Sequence, residues 1–139
     1  MEEHEDDVRR KQSDVKQLRS RTPVPLFNEH RKILVADDKY LNLLQTKEIL
    51  EELRVYVEVV CVADGQSAID EIANSDMKTF VLILLDQYMP LKTGLQALKE
   101  IKNLYRDANV IMPKTAFISG YIDRDLRRKG KKLGVKDFL

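Results

Sequence analysis

From residue 31 onward, the sequence predicts an α/β protein built on a doubly wound parallel sheet. Short apolar runs of strand length alternate with segments whose apolar residues recur every three to four positions, as on one face of a helix. Two of these runs, 33–36 and 80–85, end directly in acidic residues. Open parallel sheets place ligand-binding groups at this edge, and their crossover connections put helices on both faces.

In the first half of the chain, we predict strand, helix, strand and helix in that order. The first strand is 33–36, and an apolar face formed by Leu43, Thr46, Ile49, Leu50 and Leu53 marks a helix over 40–53. The β-branched run 55–62 predicts the second strand. The turn Ala63-Asp64-Gly65 then leads into a helix that uses Ala68, Ile69 and Ile72.

The second half repeats the alternation. The apolar run 80–85 is the third strand, 94–105 an amphipathic helix and 111–118 a fourth strand, with Pro113 tolerable only near its start or at an unpaired position. A helix over 122–133 and a fifth strand over 135–139 follow. The simplest arrangement is the flavodoxin-like order 2-1-3-4-5, in which strands one and three are neighbours.

That strand order brings together three acidic residues: Asp37, Asp38 and Asp86. An ionised carboxylate at the end of a buried strand needs a partner, and three converging on one crevice suggest a hard divalent cation. We therefore expect a Mg²⁺ site at the carboxyl edge of the sheet.

Composition limits the protein class. With 139 residues, 43% hydrophobic and 34% charged, the chain suits one domain, and its net charge of +1 gives no general attraction to nucleic acid or membranes. Neither a membrane-spanning run nor a secretory leader is predicted, so a cytoplasmic location is expected. The single cysteine, Cys61, excludes an internal disulfide and is expected to be buried.

Residues 1–30 differ in kind from 31–139, the predicted domain. Residues 1–22 contain six acidic and six basic side chains, with the acids mostly first. We predict a solvated tail, although a lone or coiled-coil helix stays open because a thin apolar stripe is present. The sequence TPVP at 22–25 predicts an extended linker. The stripe consists of Val8, Val15 and Leu18.

Over 32–139 the sequence resembles the receiver domain of two-component response regulators and hybrid histidine kinases. The resemblance depends on four motifs in order: LVADD at 34–38, LDQYMP at 85–90 with Gly94, FISG at 117–120 and GVKDFL at 134–139. Asn42 and the linker before the domain are more similar to the corresponding features of receivers attached to hybrid kinases. We expect this chain to be part of a longer protein.

The resemblance implies a signalling domain and not an enzyme. Its catalytic activity would be limited to its own phosphorylation and dephosphorylation. Asp86 would accept a phosphoryl group from a histidine kinase or histidine phosphotransfer protein. Asp38 would bind Mg²⁺ directly, Asp37 largely through water, and Tyr88 through its backbone carbonyl. Ser119 would contact the phosphoryl group, and Phe138 would follow it inward as a conformational switch. Direct nucleic-acid binding and membrane insertion are not implied.

One departure from the family pattern concerns the carboxyl end. The family has a lysine two residues beyond the position of Leu139, followed by a final helix. We therefore expect a receiver truncated at its C-terminus, with the final helix missing: either a fragment of a longer protein or a naturally shortened one.

Alternatives remain open. A pseudo-receiver that docks partners without being phosphorylated is one, and an aspartate-nucleophile phosphohydrolase is another, disfavoured because Tyr88 stands where that chemistry needs a second carboxylate. Asp38 could instead cap the following helix. The seven basic residues within 124–136 predict a solvated helix face, with a docking surface as the alternative.

Overall fold

The computed structural model describes residues 30–52, 57–118 and 122–139. They form one five-stranded, all-parallel sheet in the order β2-β1-β3-β4-β5, which confirms the predicted topology. The strands are β1 (Lys32–Ala36), β2 (Glu58–Val62), β3 (Phe80–Leu85), β4 (Lys114–Phe117) and β5 (Asp137–Phe138); the helices are α1 (Tyr40–Glu52), α2 (Gly65–Ala73), α3 (Gly94–Asp107) and α4 (Arg124–Lys132). A 3-10 turn, Met77–Thr79, precedes β3.

The strand register aligns β1 with β3 at the carboxyl edge of the sheet, and β1, β3 and β4 at its amino edge. At the carboxyl edge, Ala36 of β1 pairs with Leu85 of β3. At the amino edge, Ile33 pairs with Leu82, and Leu82 pairs in turn with Lys114 of β4. Residues that follow β1 and β3 therefore emerge side by side.

The core has two parts, one on each face of the sheet. Alternate side chains of β1 and β3 point to opposite faces, so both central strands read as continuous apolar runs. The larger cluster lies between the sheet and helices α2, α3 and α4. It includes Leu34, Ile72, Ile83, Leu98 and Phe117. The smaller cluster, which contains Leu43 of α1, includes Ile33, Val35, Leu84 and Ala116.

Several expected boundaries and burials were wrong. β4 begins at Lys114 because Pro113 has no amide donor for the ladder, and Ile111 is 94% exposed rather than in a strand. Ile49 is 58% exposed and does not belong to the buried face of α1. Cys61 is exposed rather than buried, since β2 is an edge strand.

Other expectations fall partly or wholly outside the described residues. The proposed tail and linker lie almost entirely within 1–29, and the start of the predicted second strand lies within 53–56. Among the helices that the structure describes, none has the length and apolar character needed to cross a membrane.

Candidate functional site

The three predicted carboxylates lie together at the carboxyl edge of the sheet. The backbone amide of Asp86 donates to the Ala36 carbonyl at 2.8 Å, which extends the ladder by one residue beyond the strands. One carboxylate oxygen from each of Asp37, Asp38 and Asp86 lies within 4.8 Å of the other two. The register of β1 and β3 thus converts two distant sequence motifs into one acidic cluster.

Two of the three carboxylates in the cluster are buried and one is exposed. Asp37 is 2% exposed and Asp86 is 7% exposed, whereas Asp38 is open to solvent. Both oxygens of Asp37 are hydrogen-bonded: Oδ1 accepts from the Lys39 backbone amide at 2.9 Å and Oδ2 from the Asn42 side-chain amide at 3.1 Å. The Tyr88 amide lies 3.5 Å from Oδ1 of Asp86.

The donor set fits a hard divalent cation. Two ionised carboxylates whose oxygens lie within 4.8 Å of each other repel by ~3 kcal/mol or more at an effective dielectric constant of about 20. Oxygen ligands from carboxylates and backbone carbonyls are those that Mg²⁺ prefers, and a cation among them offsets the repulsion. The exposed Asp38 keeps one side of the cluster accessible to solvent.

The loop after Asp86 is tied to the start of α3. A Cβ at position 94 would lie 2.4 Å from the Asp86 carbonyl oxygen and 2.8 Å from the Phe117 ring, so glycine is required there. The Gln87 carbonyl accepts from the Gly94 amide at 3.0 Å, and its Oε1 accepts from the Leu95 amide at 2.9 Å. These contacts hold the backbone of the candidate acceptor residue.

A second glycine supports the same loop from α2. A Cβ at Gly65 would lie 2.1 Å from the Lys92 carbonyl oxygen, and the Gly65 amide lies 3.4 Å from the Pro90 carbonyl. Between them, Leu91 adopts a left-handed backbone with φ of 66°. Met89 is 8% exposed and packs into the larger core cluster. The Met-Pro segment therefore anchors the loop that carries Tyr88.

An aromatic pair connects the end of β4 to β5. Phe117 and Phe138 stack with ring centroids 5.9 Å apart, and the Arg127 guanidinium lies 5.3 Å from the Phe138 centroid. Gly130 leaves room for these rings, since a Cβ there would approach Phe138 at 3.0 Å. Phe138 is half-buried, so it is neither a core residue nor a free surface side chain.

The remaining predicted residues have different positions. Tyr88 lies beside Asp86 with 56% of the residue exposed, while Ser119 and Gly120 fall outside the described residues. Within those residues, the Asp38 side chain makes no capping bond to α1.

Sequence reasoning did not find four supporting contacts: Asn42 to Asp37, Gln87 to Leu95, Gly65 against Lys92, and the capping box between Thr93 and Gln96. Only the Thr-x-x-Gln spacing of the capping box carried a recognisable signal.

Comparison with known proteins agrees with this architecture. Residues 33–139 match the family model described as the response regulator receiver domain. The chain is similar to the transcriptional regulatory protein CrdR of Helicobacter pylori, with 31% identity over 109 residues, covering 78% of this chain and 47% of CrdR. It is also 29% identical over 94 residues to the autoinducer 2 sensor kinase/phosphatase LuxQ of Vibrio vulnificus, covering 68% of this chain and 10% of LuxQ.

A solved structure shares the fold. The receiver domain of the histidine kinase CKI1 from Arabidopsis thaliana, in complex with Mg²⁺ and BeF3⁻, has a TM-score of 0.67 and 22% identity, covering 78% of this chain and 79% of that one. The chain spans less than half the length of the curated relatives CrdR and LuxQ.

Proposed function

Because the chain belongs to the response regulator receiver domain family, we propose that it is a phosphoacceptor in a His-to-Asp phosphorelay and that Asp86 receives the phosphoryl group. One observation carries the proposal: Asp86 is a nearly buried carboxylate at the end of β3, within 4.8 Å of the oxygens of two other aspartates. The donor would be a histidine kinase or a histidine phosphotransfer protein.

The chemistry requires an anionic nucleophile to attack a phosphorylated histidine. A carboxylate oxygen of Asp86 attacks the phosphorus, the new O–P bond forms as the N–P bond breaks, and the imidazole leaves with the electron pair. The product is an acyl phosphate on the Asp86 side chain. Hydrogen bonds from Gly94 and Leu95 to Gln87, the next residue, keep the loop that carries this carboxylate in place.

Asp37, Asp38 and Asp86, with the Tyr88 backbone carbonyl, are the groups that would hold Mg²⁺. Magnesium supplies charge neutralisation of the phosphoryl group, which otherwise repels an attacking carboxylate. Asp38 would bind the ion directly because its carboxylate is exposed, whereas the oxygens of Asp37 already accept bonds from Lys39 and Asn42. Asp37 would therefore contribute its charge mainly through a bound water.

The conformational response would involve Ser119 and Phe138. Ser119 would donate its hydroxyl to the phosphoryl group, and Phe138 would move into the space that Ser119 vacates. The stacked Phe117 and Phe138 rings under Arg127 provide a packing arrangement that such a movement would change. Surfaces near β5 and α4 would then report the phosphorylation state to a partner.

The experiment is intact-mass measurement after incubation with acetyl phosphate and MgCl₂. The parent chain should gain one phosphoryl group, and Asp86→Asn should gain none while keeping a cooperative melt. Asp70→Asn, which alters an exposed aspartate of α2, is the matched control and should be labelled like the parent. Label mapped to another residue, or equal labelling of Asp86→Asn, would refute the assignment of Asp86. A parent chain that binds Mg²⁺ but takes up no phosphoryl group would support the pseudo-receiver alternative.

A further inference from the structure

A basic groove lies at the amino edge of the sheet, opposite the acidic cluster. This cleft of about 660 Å³ is bordered by α3, the approach to β4 and the connection from α4 to β5. Four cationic side chains from these elements line it, together with apolar residues that include Met112 and Leu133. The cations are Lys102, Arg106, Lys114 and Lys136.

The positive charge of the basic groove is largely uncompensated. Among the described residues that line it, Asp137 is the one carboxylate. Lys102, Lys114 and Lys136 form no ion pair with the carboxylates of the described residues, and only Arg106 has a partner, Asp107 at 3.3 Å. By contrast, Arg128 and Lys129 on α4 both pair with Asp125. A surface with this surplus attracts an anionic segment.

The chain itself contains a segment of matching charge. Residues 2–7 (EEHEDD) include five carboxylates and no Lys or Arg. The basic residues of the same tail begin after this run, at Arg9. We propose that this acidic run, 2–7, binds the basic groove of the same chain. The five acids are Glu2, Glu3, Glu5, Asp6 and Asp7.

The geometry of the sheet places the attachment point close to the groove. Ile33, the second residue of β1, is in register with Leu82, and Leu82 with Lys114, so Lys114 lies two strand spacings, ~10 Å, from β1. The 24 residues of 8–31 can span up to ~80 Å when extended. The tether therefore reaches the groove with ample slack and supplies an effective concentration on the order of millimolar.

Binding of this kind should depend strongly on salt. Individual exposed ion pairs contribute little, so several must act together, and the tether makes weak pairing sufficient. Raising the ionic strength shortens the Debye length from about 10 Å at 0.1 M to about 3 Å at 1 M. The acidic run should thus occupy the groove at low salt and leave it at about 1 M sodium chloride.

Paramagnetic relaxation tests the proposal in the full chain. A nitroxide is attached at His4→Cys in a Cys61→Ser background, which keeps all five carboxylates and removes the other thiol. At low salt, the amides of Met112, Lys114 and Leu133 should broaden, and the broadening should vanish at about 1 M sodium chloride. Lys102→Glu with Lys114→Glu should abolish it.

Two controls accompany this test: a charge-reversed variant outside the groove, and a mixture of spin-labelled and isotope-labelled chains. Lys47→Glu with Lys78→Glu makes the same charge change at exposed positions outside the groove and should leave the broadening intact. Absence of broadening at low salt, or its persistence in the Lys102→Glu, Lys114→Glu variant, would overturn the proposal. Broadening that appears only when spin-labelled chain is mixed with a separate isotope-labelled chain would show that a second copy occupies the groove. None of these outcomes bears on Asp86, so phosphorylation is tested separately.

Discussion

The side-chain amide of Asn42 donates a hydrogen bond to Oδ2 of Asp37 across 3.1 Å. With Oδ1 held by the Lys39 amide, this bond fixes the orientation of the Asp37 carboxylate from the first turn of α1. Asn42 is itself exposed and is not a ligand in the proposed site. It acts on the cation through Asp37 and is therefore a positioning residue.

We expect Asn42→Ala to weaken Mg²⁺ binding by about tenfold, the lower end of the range for groups that orient metal ligands. The metal-free protein should also lose about 1–3 kcal/mol of stability, because the buried Oδ2 of Asp37 loses its donor. Magnesium titration followed by amide NMR of Asp86 and Tyr88 measures the affinity. Asn103→Ala on α3 is the matched control, and equal affinities for the parent and Asn42→Ala would contradict the positioning role.

A second prediction uses the repulsion within the acidic cluster. Asp38→Asn removes one of three charges whose oxygens lie within 4.8 Å, so it should stabilise the metal-free protein by about 1 kcal/mol after solvent screening of this exposed group. In saturating MgCl₂ the order should reverse, since the parent gains binding free energy that the variant largely loses.

Thermal melts in EDTA and in MgCl₂ measure both effects. Asp70→Asn is the control for removal of an exposed aspartate charge. A variant that melts below the parent without metal would show that repulsion does not govern the cluster. The corresponding change at the buried Asp37 should lower Mg²⁺ affinity less than the change at Asp38.

The topology and the acidic cluster could be predicted because few residues decide them. Apolar runs of strand length and their terminal aspartates determine the sheet, and its order then brings Asp37 and Asp86 to one edge. Such information is local in sequence and repeated along the chain, which makes it robust to errors at single positions.

The parts that could not be predicted depend on tertiary packing. Ile49 follows the helical period of α1 yet is 58% exposed and lies outside the smaller core cluster that Leu43 of the same helix joins. The contact of Gly65 with the Lys92 carbonyl joins residues whose proximity follows only from the packed fold. A turn glycine and a glycine required by close approach look the same in the sequence.

A third prediction concerns the backbone behind Asp86. Gly94→Ala places a methyl group 2.4 Å from the Asp86 carbonyl oxygen and 2.8 Å from the Phe117 ring. Backbone cannot yield as a side chain does, so we expect a loss of about 3 kcal/mol or more in the free energy of unfolding.

Gly130→Ala provides the comparison, because the nearest neighbours of its new methyl group are ring atoms of Phe138 and Phe117 at 3.0 Å or more. It should cost about 1 kcal/mol. Urea unfolding at neutral pH measures both variants. If Gly94→Ala is no more destabilising than Gly130→Ala, the close approach to Asp86 is not a structural constraint.

The last prediction concerns alkaline stability and Tyr105. This residue is 1% exposed, and its hydroxyl donates to the Met77 carbonyl at 2.9 Å. Burial, assisted by the nearby Asp76 carboxylate, raises the pKa of Tyr105 from 10.0 to about 12. Between these two values the unfolded chain releases the phenolic proton while the folded chain keeps it, so the free energy of unfolding falls as pH rises.

Tyr105→Phe has no phenolic proton to lose. It should be less stable than the parent at pH 7 by about 1 kcal/mol, through loss of the bond to Met77, but should decline less steeply above pH 10. Urea unfolding at neutral pH and at steps above pH 10 gives the two slopes, with Tyr40→Phe, a change at an exposed phenol, as the control expected to follow the parent. Parallel slopes for the parent and Tyr105→Phe would mean that this phenol does not govern the alkaline limit of the fold.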